Sequence, residues 1–144
     1  MTSKTTYRSD PATMQDVGKL LLRLGLGVLI LLHGISKLQN GIDGILAGVQ
    51  GAGLPREFGY LVYVGEVVAP VLVIVGFITR PAALVIAINM AFAVYLVHAA
   101  QLFTLTKQGG WALELQGIYF LAALAIACLG AGRYSAGGEG GRWN

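Results

Sequence analysis

Five side chains combine chemistry with an unusual setting: His33, Lys37, Glu66, His98 and Glu114 all lie inside or at the edge of long apolar runs. An ionised group in such a run is expensive unless it is paired. His33 and Lys37 close the run LLLRLGLGVLILLHGISKL and stand four residues apart, so they share one face of a helix. Glu66 must be protonated or find a cation, and Lys37, His33 and Arg23 are available. Pro70 lies four residues beyond Glu66 and has no N–H, so it releases the Glu66 carbonyl, should kink the helix and makes room for a ligand or water. Imidazole, ammonium and carboxyl groups among Leu, Val and aromatic side chains can donate to the carbonyls of a quinone headgroup and handle protons beside it. Two His and two Glu could also bind zinc or iron, but no single helix carries two ligands at ExxH or HExxH spacing, and no metal is assigned.

Each group has a plain structural role as well. His33 and Lys37 can face a membrane interface, His98 can bond a neighbouring helix, and Glu114 can sit at a helix N-terminus where a carboxylate is favoured. Their convergence is the stronger signal. Four helices delivering these five residues to one layer predict a polar pocket, with His33, Lys37 and Glu66 as the headgroup and proton-handling residues and His98 and Glu114 in support.

The elements that must hold this layer follow from composition. Of 144 residues, 56% are hydrophobic and 12% charged, far below the charged fraction that a soluble surface needs. Four segments approach the length that spans a hydrocarbon core: Val17 to Ser36, Phe58 to Ile78, Ala82 to Phe103 and Trp111 to Gly130. Runs such as VLVIVGF and ALAIACL do not alternate as barrel strands do, so the predicted fold is all-α, an integral membrane four-helix bundle over residues 17–135. Residues 1–16 read as a cytoplasmic tail without a removable signal peptide, and residues 136–144 as a flexible end. Between helices one and two, Ile42, Ile45, Leu46 and Val49 recur at helical spacing and predict a short amphipathic interfacial helix.

Lys4, Arg8, Lys19, Arg80, Arg133 and Arg142 fall on the side of the termini, against Lys37, Arg56 and Lys107 on the other, which predicts both termini in the cytoplasm. The scattered charge, formally +3, excludes a nucleic-acid surface. Counting along the helices puts Arg23 and Asn89 at a similar inner depth, where they could meet, or Arg23 could snorkel to headgroups. Arg23, Gly27 and Gly34 share one face of the first helix, and Cys128, the single cysteine, reads as a small buried hydrophobe.

Several short motifs recur in order: His33-Gly34 with Lys37-Leu38, Gly65-Glu66 with Pro70, Thr79-Arg80-Pro81-Ala82-Ala83, and Gly130-Ala131-Gly132-Arg133-Tyr134-Ser135. Together they resemble the DoxX family across Val17 to Ser135. The resemblance implies a small bacterial cytoplasmic (inner) membrane protein, related to the small subunits of thiosulfate:quinone oxidoreductases and found with membrane-associated redox complexes. It implies contact with lipid and with an oxidoreductase partner protein, and it leaves homo-oligomerisation open. The resulting expectation is an integral redox subunit that positions a quinone, or a similar small electron acceptor, near the outer membrane face. The alternative is a non-catalytic anchor or assembly partner whose polar groups satisfy one another. A transporter is disfavoured by the lack of an inverted repeat. One departure is the ending Ser135-Ala136-Gly137, where many relatives continue with an aliphatic residue and an aspartate.

Overall fold

The computed structural model describes residues 11–138 and 140–144, so the first ten residues of the expected 1–16 tail, with Lys4 and Arg8, lie outside the described residues. Five helices account for the fold among the described residues: α1 (Pro11–Asn40), α2 (Asp43–Gly51), α3 (Arg56–Val75), α4 (Thr79–Gln101) and α5 (Glu114–Leu129). Helix α1 begins six residues before the expected start, and Pro11 in its first turn has no N–H that a helix carbonyl would miss there. Its 30 residues rise about 45 Å, more than a hydrocarbon core needs.

Three helices, α1, α3 and α4, are long and apolar enough to cross a bilayer. The fourth expected span is shorter. Helix α5 has 16 residues, because residues 104–112 form a bridged turn in which Leu105 pairs with Trp111, and Gly130 at φ 75° ends the helix. Its rise of about 24 Å is short of the roughly 30 Å core. The α3–α4 turn also shifts. Gly76 and Ile78 both take positive φ, so the reversal occurs at residues 76–78, and Thr79-Arg80-Pro81 is the first turn of α4 rather than the turn itself. Pro81 is tolerated there because first-turn N–H groups have no helical acceptor.

The core is built from Leu26 and Ile30 of α1, Ala69 and Val73 of α3, Ala82, Ala83, Ile86, Ala87 and Met90 of α4, and Tyr119, Ala123 and Ile126 of α5. The small residues of α4 and α5 explain why this pair makes the most extensive helix contact, since alanines let the two backbones approach. On α1, Gly27 and Gly34 form the glycine face that the sequence suggests: a Cβ on Gly27 would stand 2.5 Å from Ile74 Cγ1, and one on Gly34 2.8 Å from Val67 Cγ2. Helix α3 therefore lies in a groove cut into α1. Many outward positions are apolar, with Leu21, Ile88, Ile118 and Leu121 among the most exposed side chains, as expected of a surface solvated by lipid.

Helix α2 confirms the predicted amphipathic segment. Its Leu46 and Val49, with Ile42 just before it, are buried, and Leu46 packs on Gly59 at the start of α3. Cys128 is exposed on α5 rather than buried; its run is apolar on all sides, so periodicity could not say which face packs inward. Residues 135–138 and 140–144 lie against the α3–α4 turn, where the Arg80 N–H donates to the Trp143 carbonyl and Thr79 Oγ1 lies 2.8 Å from Asn144 Oδ1.

Candidate functional site

Two cations of α1 enter the protein at different heights. Arg23, 1% exposed, neither meets Asn89 nor snorkels. Its Nε donates to the Val73 carbonyl at 2.9 Å, Nη2 to Ile74 at 2.9 Å, and Nη1 to Ala131 at 2.6 Å and Tyr134 at 3.0 Å. The reason is the end of α3: Val73 and Ile74 lie in its last turn, where carbonyls lack helical donors and the helix dipole favours a cation. Depth counting alone could not anticipate this, because the acceptors are backbone atoms.

Near the other end of α1, Lys37 Nζ donates to Glu66 Oε2 in an ion pair, and Asn89 Nδ2 donates to Glu66 Oε1 at 3.3 Å. Glu66 is 4% exposed, and both of its carboxylate oxygens have partners. Asn89 is thus a site residue that sequence reasoning assigned to the wrong layer. The signal lay in Gly65, whose missing Cβ, which would stand 2.5 Å from Asn89 Cγ, lets the amide reach α3.

The local backbone aims these groups. Glu66 lies in a widened turn, Val64–Val68, in which the Ala69 N–H reaches back five residues to the Val64 carbonyl. The lesion expected from Pro70 is therefore absorbed as a π-turn, and Gly34 lies against the freed Glu66 carbonyl. A second π-turn, Val94–His98, carries His98 at its end. Wide turns rotate side chains out of helical register, so Glu66 and His98 depart from the faces that a 3.6-residue period assigns them.

Two cavities flank the ion pair. The larger, about 540 Å³, lies mainly between α3 and α4 with α2 beside it, and it is apolar except where Lys37, Glu66, Asn89 and His98 reach it. Leu61, Val64, Ile88 and Val97 line it and are themselves exposed, so its mouth is on the lipid-facing side between α3 and α4. The smaller, about 220 Å³, lies between α1, α4 and α5 and holds His33, Gln116 and Tyr119 as well as Lys37, Glu66 and His98. His33 stands edge-to-face to the Tyr119 ring at 6.1 Å. His98 Nδ1 is 3.1 Å from Gln101 Oε1, and its Nε2 is 3.5 Å from Gln116 Nε2, a pairing satisfied by a neutral ring carrying its proton on Nδ1.

Four of the five predicted residues thus converge: His33, Lys37, Glu66 and His98 line the smaller cavity, and all but His33 line the larger. Glu114 does not join them. It opens α5 on the exposed surface with its carboxylate against Gly110, the helix-end position that its sequence context also allows. Among the described residues, no three His, Cys, Asp or Glu side chains come together as a metal site.

The comparisons with known proteins cover the same elements. The DoxX family profile matches residues 18–99, a stretch containing His33, Lys37, Glu66, Asn89 and His98 and ending before α5. A protein of Bacillus subtilis (strain 168) named "Putative oxidoreductase CatD" is 33% identical over 82 residues, which are 57% of this chain and 60% of that protein. An uncharacterized protein of Haemophilus influenzae is 32% identical over 114 residues, 77% of this chain and 81% of its own length. No solved structure matches the chain. The paired Lys37 and Glu66, the Pro70 turn and most of the three apolar spans lie in the matched region, and the chain belongs to the DoxX family of membrane proteins.

Proposed function

We propose that this protein is a multi-pass subunit of a bacterial cytoplasmic-membrane redox system, and that its larger cavity binds a quinone or a similar small lipophilic electron acceptor. The observation that carries this reading is the division of that cavity into an apolar body with a lipid-side mouth and one polar end made by Lys37, Glu66 and Asn89. A lipophilic headgroup that partitions into the bilayer can enter from the side, while an aqueous solute would have to leave water first. The volume, about 540 Å³, falls in the range of small-molecule sites.

The bound acceptor would supply the electron chemistry; the residues supply position and protons. Lys37 and Asn89 each present N–H groups at the polar end of the cavity, the donors that a carbonyl requires. Glu66 accepts from both, which fixes their orientation and keeps the Lys37 charge from being buried alone. His98 sits on a π-turn at the same end, held by Gln101 and Gln116. Electrons would come from a partner oxidoreductase, in keeping with the oxidoreductase name of the Bacillus relative. The Lys and Arg asymmetry supports cytoplasmic termini, which would place the Lys37 end near the outer face.

Titration of purified protein in nanodiscs with ubiquinone and menaquinone tests this. Binding of at least one is expected, weakened tenfold or more by Asn89→Leu. If neither quinone binds, or if Asn89→Leu binds as well as the parent, the chain is better read as an anchor whose polar groups serve only helix packing.

A further inference from the structure

The two cavities are not equivalent, and the difference assigns them different work. Lys37, Glu66, Ala93 and His98 line both, so these side chains form the wall between them. On one side of the wall the lining is Leu, Val, Ile and Phe. On the other stand His33, Gln116 and Tyr119, with His33 exposed and His98 linking the exposed Gln101 to Gln116 of the cavity wall. A cavity of about 220 Å³ with this many donors and acceptors has room for several waters and partners to hold them.

We infer that the smaller cavity is a water-filled proton inlet that serves the larger one through Lys37 and Glu66. The inference rests on the proposed quinone reading. Reduction of a quinone to a quinol takes up two electrons and two protons; a partner oxidoreductase would provide the electrons, and water in the smaller cavity the protons. The apolar body of the larger cavity offers no proton source of its own, because its polar lining is confined to the shared wall and Asn89. Lys37 faces both cavities: it can give a proton on the apolar side and be reloaded from the polar side. Glu66 holds it in place and stabilises the charge on reloading. His33, Tyr119 and Gln116 would act as positioning residues for the inlet water.

Two measurements test this, the first without any quinone. In a Cys128→Ser background, which removes the exposed native thiol, His33→Cys in proteoliposomes should react with a charged, membrane-impermeant maleimide, and Ile88→Cys should not. Equal protection of both positions, or equal reaction, would overturn the water-filled assignment.

The second compares the parent protein with Gln116→Leu by fast-scan voltammetry of menaquinone-loaded protein films, with the electrode supplying electrons. Gln116→Leu should leave menaquinone affinity unchanged, slow reduction at least tenfold, and recover speed when a small weak acid such as formic acid is added. An unchanged rate with intact binding would overturn the inlet and leave the quinone site standing. Loss of binding in Gln116→Leu would overturn the division of labour between the cavities. Absence of menaquinone and ubiquinone binding in the parent would remove both readings together.

Discussion

Arg23 and Lys37 present the same problem at two heights of one helix: a cation drawn into an apolar bundle. The solutions differ. Arg23 is closed in by four backbone carbonyls, two from the end of α3 and two from the segment after α5, and neither cavity at the Lys37 end touches it. Lys37 is met by one carboxylate, and cavities lie on both sides of the pair. A planar guanidinium can satisfy several fixed carbonyls and so knit chain segments together, whereas an ammonium on a flexible stem can exchange partners and protons. The first arrangement is mechanical, and the second leaves room for chemistry.

The largest effect should come from breaking the mechanical end. Arg23→Met leaves four carbonyls without their donor and should cost about 3–5 kcal/mol, the scale for disrupting a buried charged network, read by denaturation of the purified protein in detergent. Arg23→Lys should not restore it, because one ammonium cannot reach acceptors spread over two segments. A loss below about 1 kcal/mol would put Arg23 below the effect expected at Lys37 and overturn the comparison.

An intermediate effect belongs to the Lys37 end. Lys37→Met leaves Glu66 buried with the Asn89 amide still donating to it and should cost about 2–3 kcal/mol, while the double change Lys37→Met with Glu66→Gln should recover a substantial part by removing the stranded charge. Quinone affinity should fall in both variants even where stability returns. Recovery of stability and affinity together would reassign the pair to packing. The smallest effect is expected at Glu114: Glu114→Gln, on the exposed surface, should stay within about 0.5 kcal/mol and leave quinone binding unchanged. A tenfold loss of affinity there would extend the site to α5.

Much of this contrast was legible before folding, and the misses share a cause. Glu66 needed a cation, and Lys37, one of three available, supplies it. Gly27 and Gly34 share a helix face by simple periodicity, and α3 packs into the groove they make. Arg23 and Asn89 were paired on depth alone, yet each took a different partner: one found helix-end carbonyls, and the other was admitted to Glu66 by Gly65. Glu114 shares a sequence context with the pocket residues but not their direction, because the bridged turn before α5 starts that helix late and turns its first residue outward.

By itself the sequence determined what length, apolarity and unpaired charge impose: an all-helical membrane bundle, an amphipathic link before α3, and polar groups on α1, α3 and α4 that had to find partners. Tertiary structure alone decided which groups meet. Two π-turns shifted Glu66 and His98 out of regular helical register, missing Cβ atoms at Gly34 and Gly65 set how closely helices approach, and the packing of α1, α3, α4 and α5 left two unlike cavities beside one ion pair. Those outcomes depend on contacts between residues far apart in the chain, and helical periodicity reports only the contacts within one element.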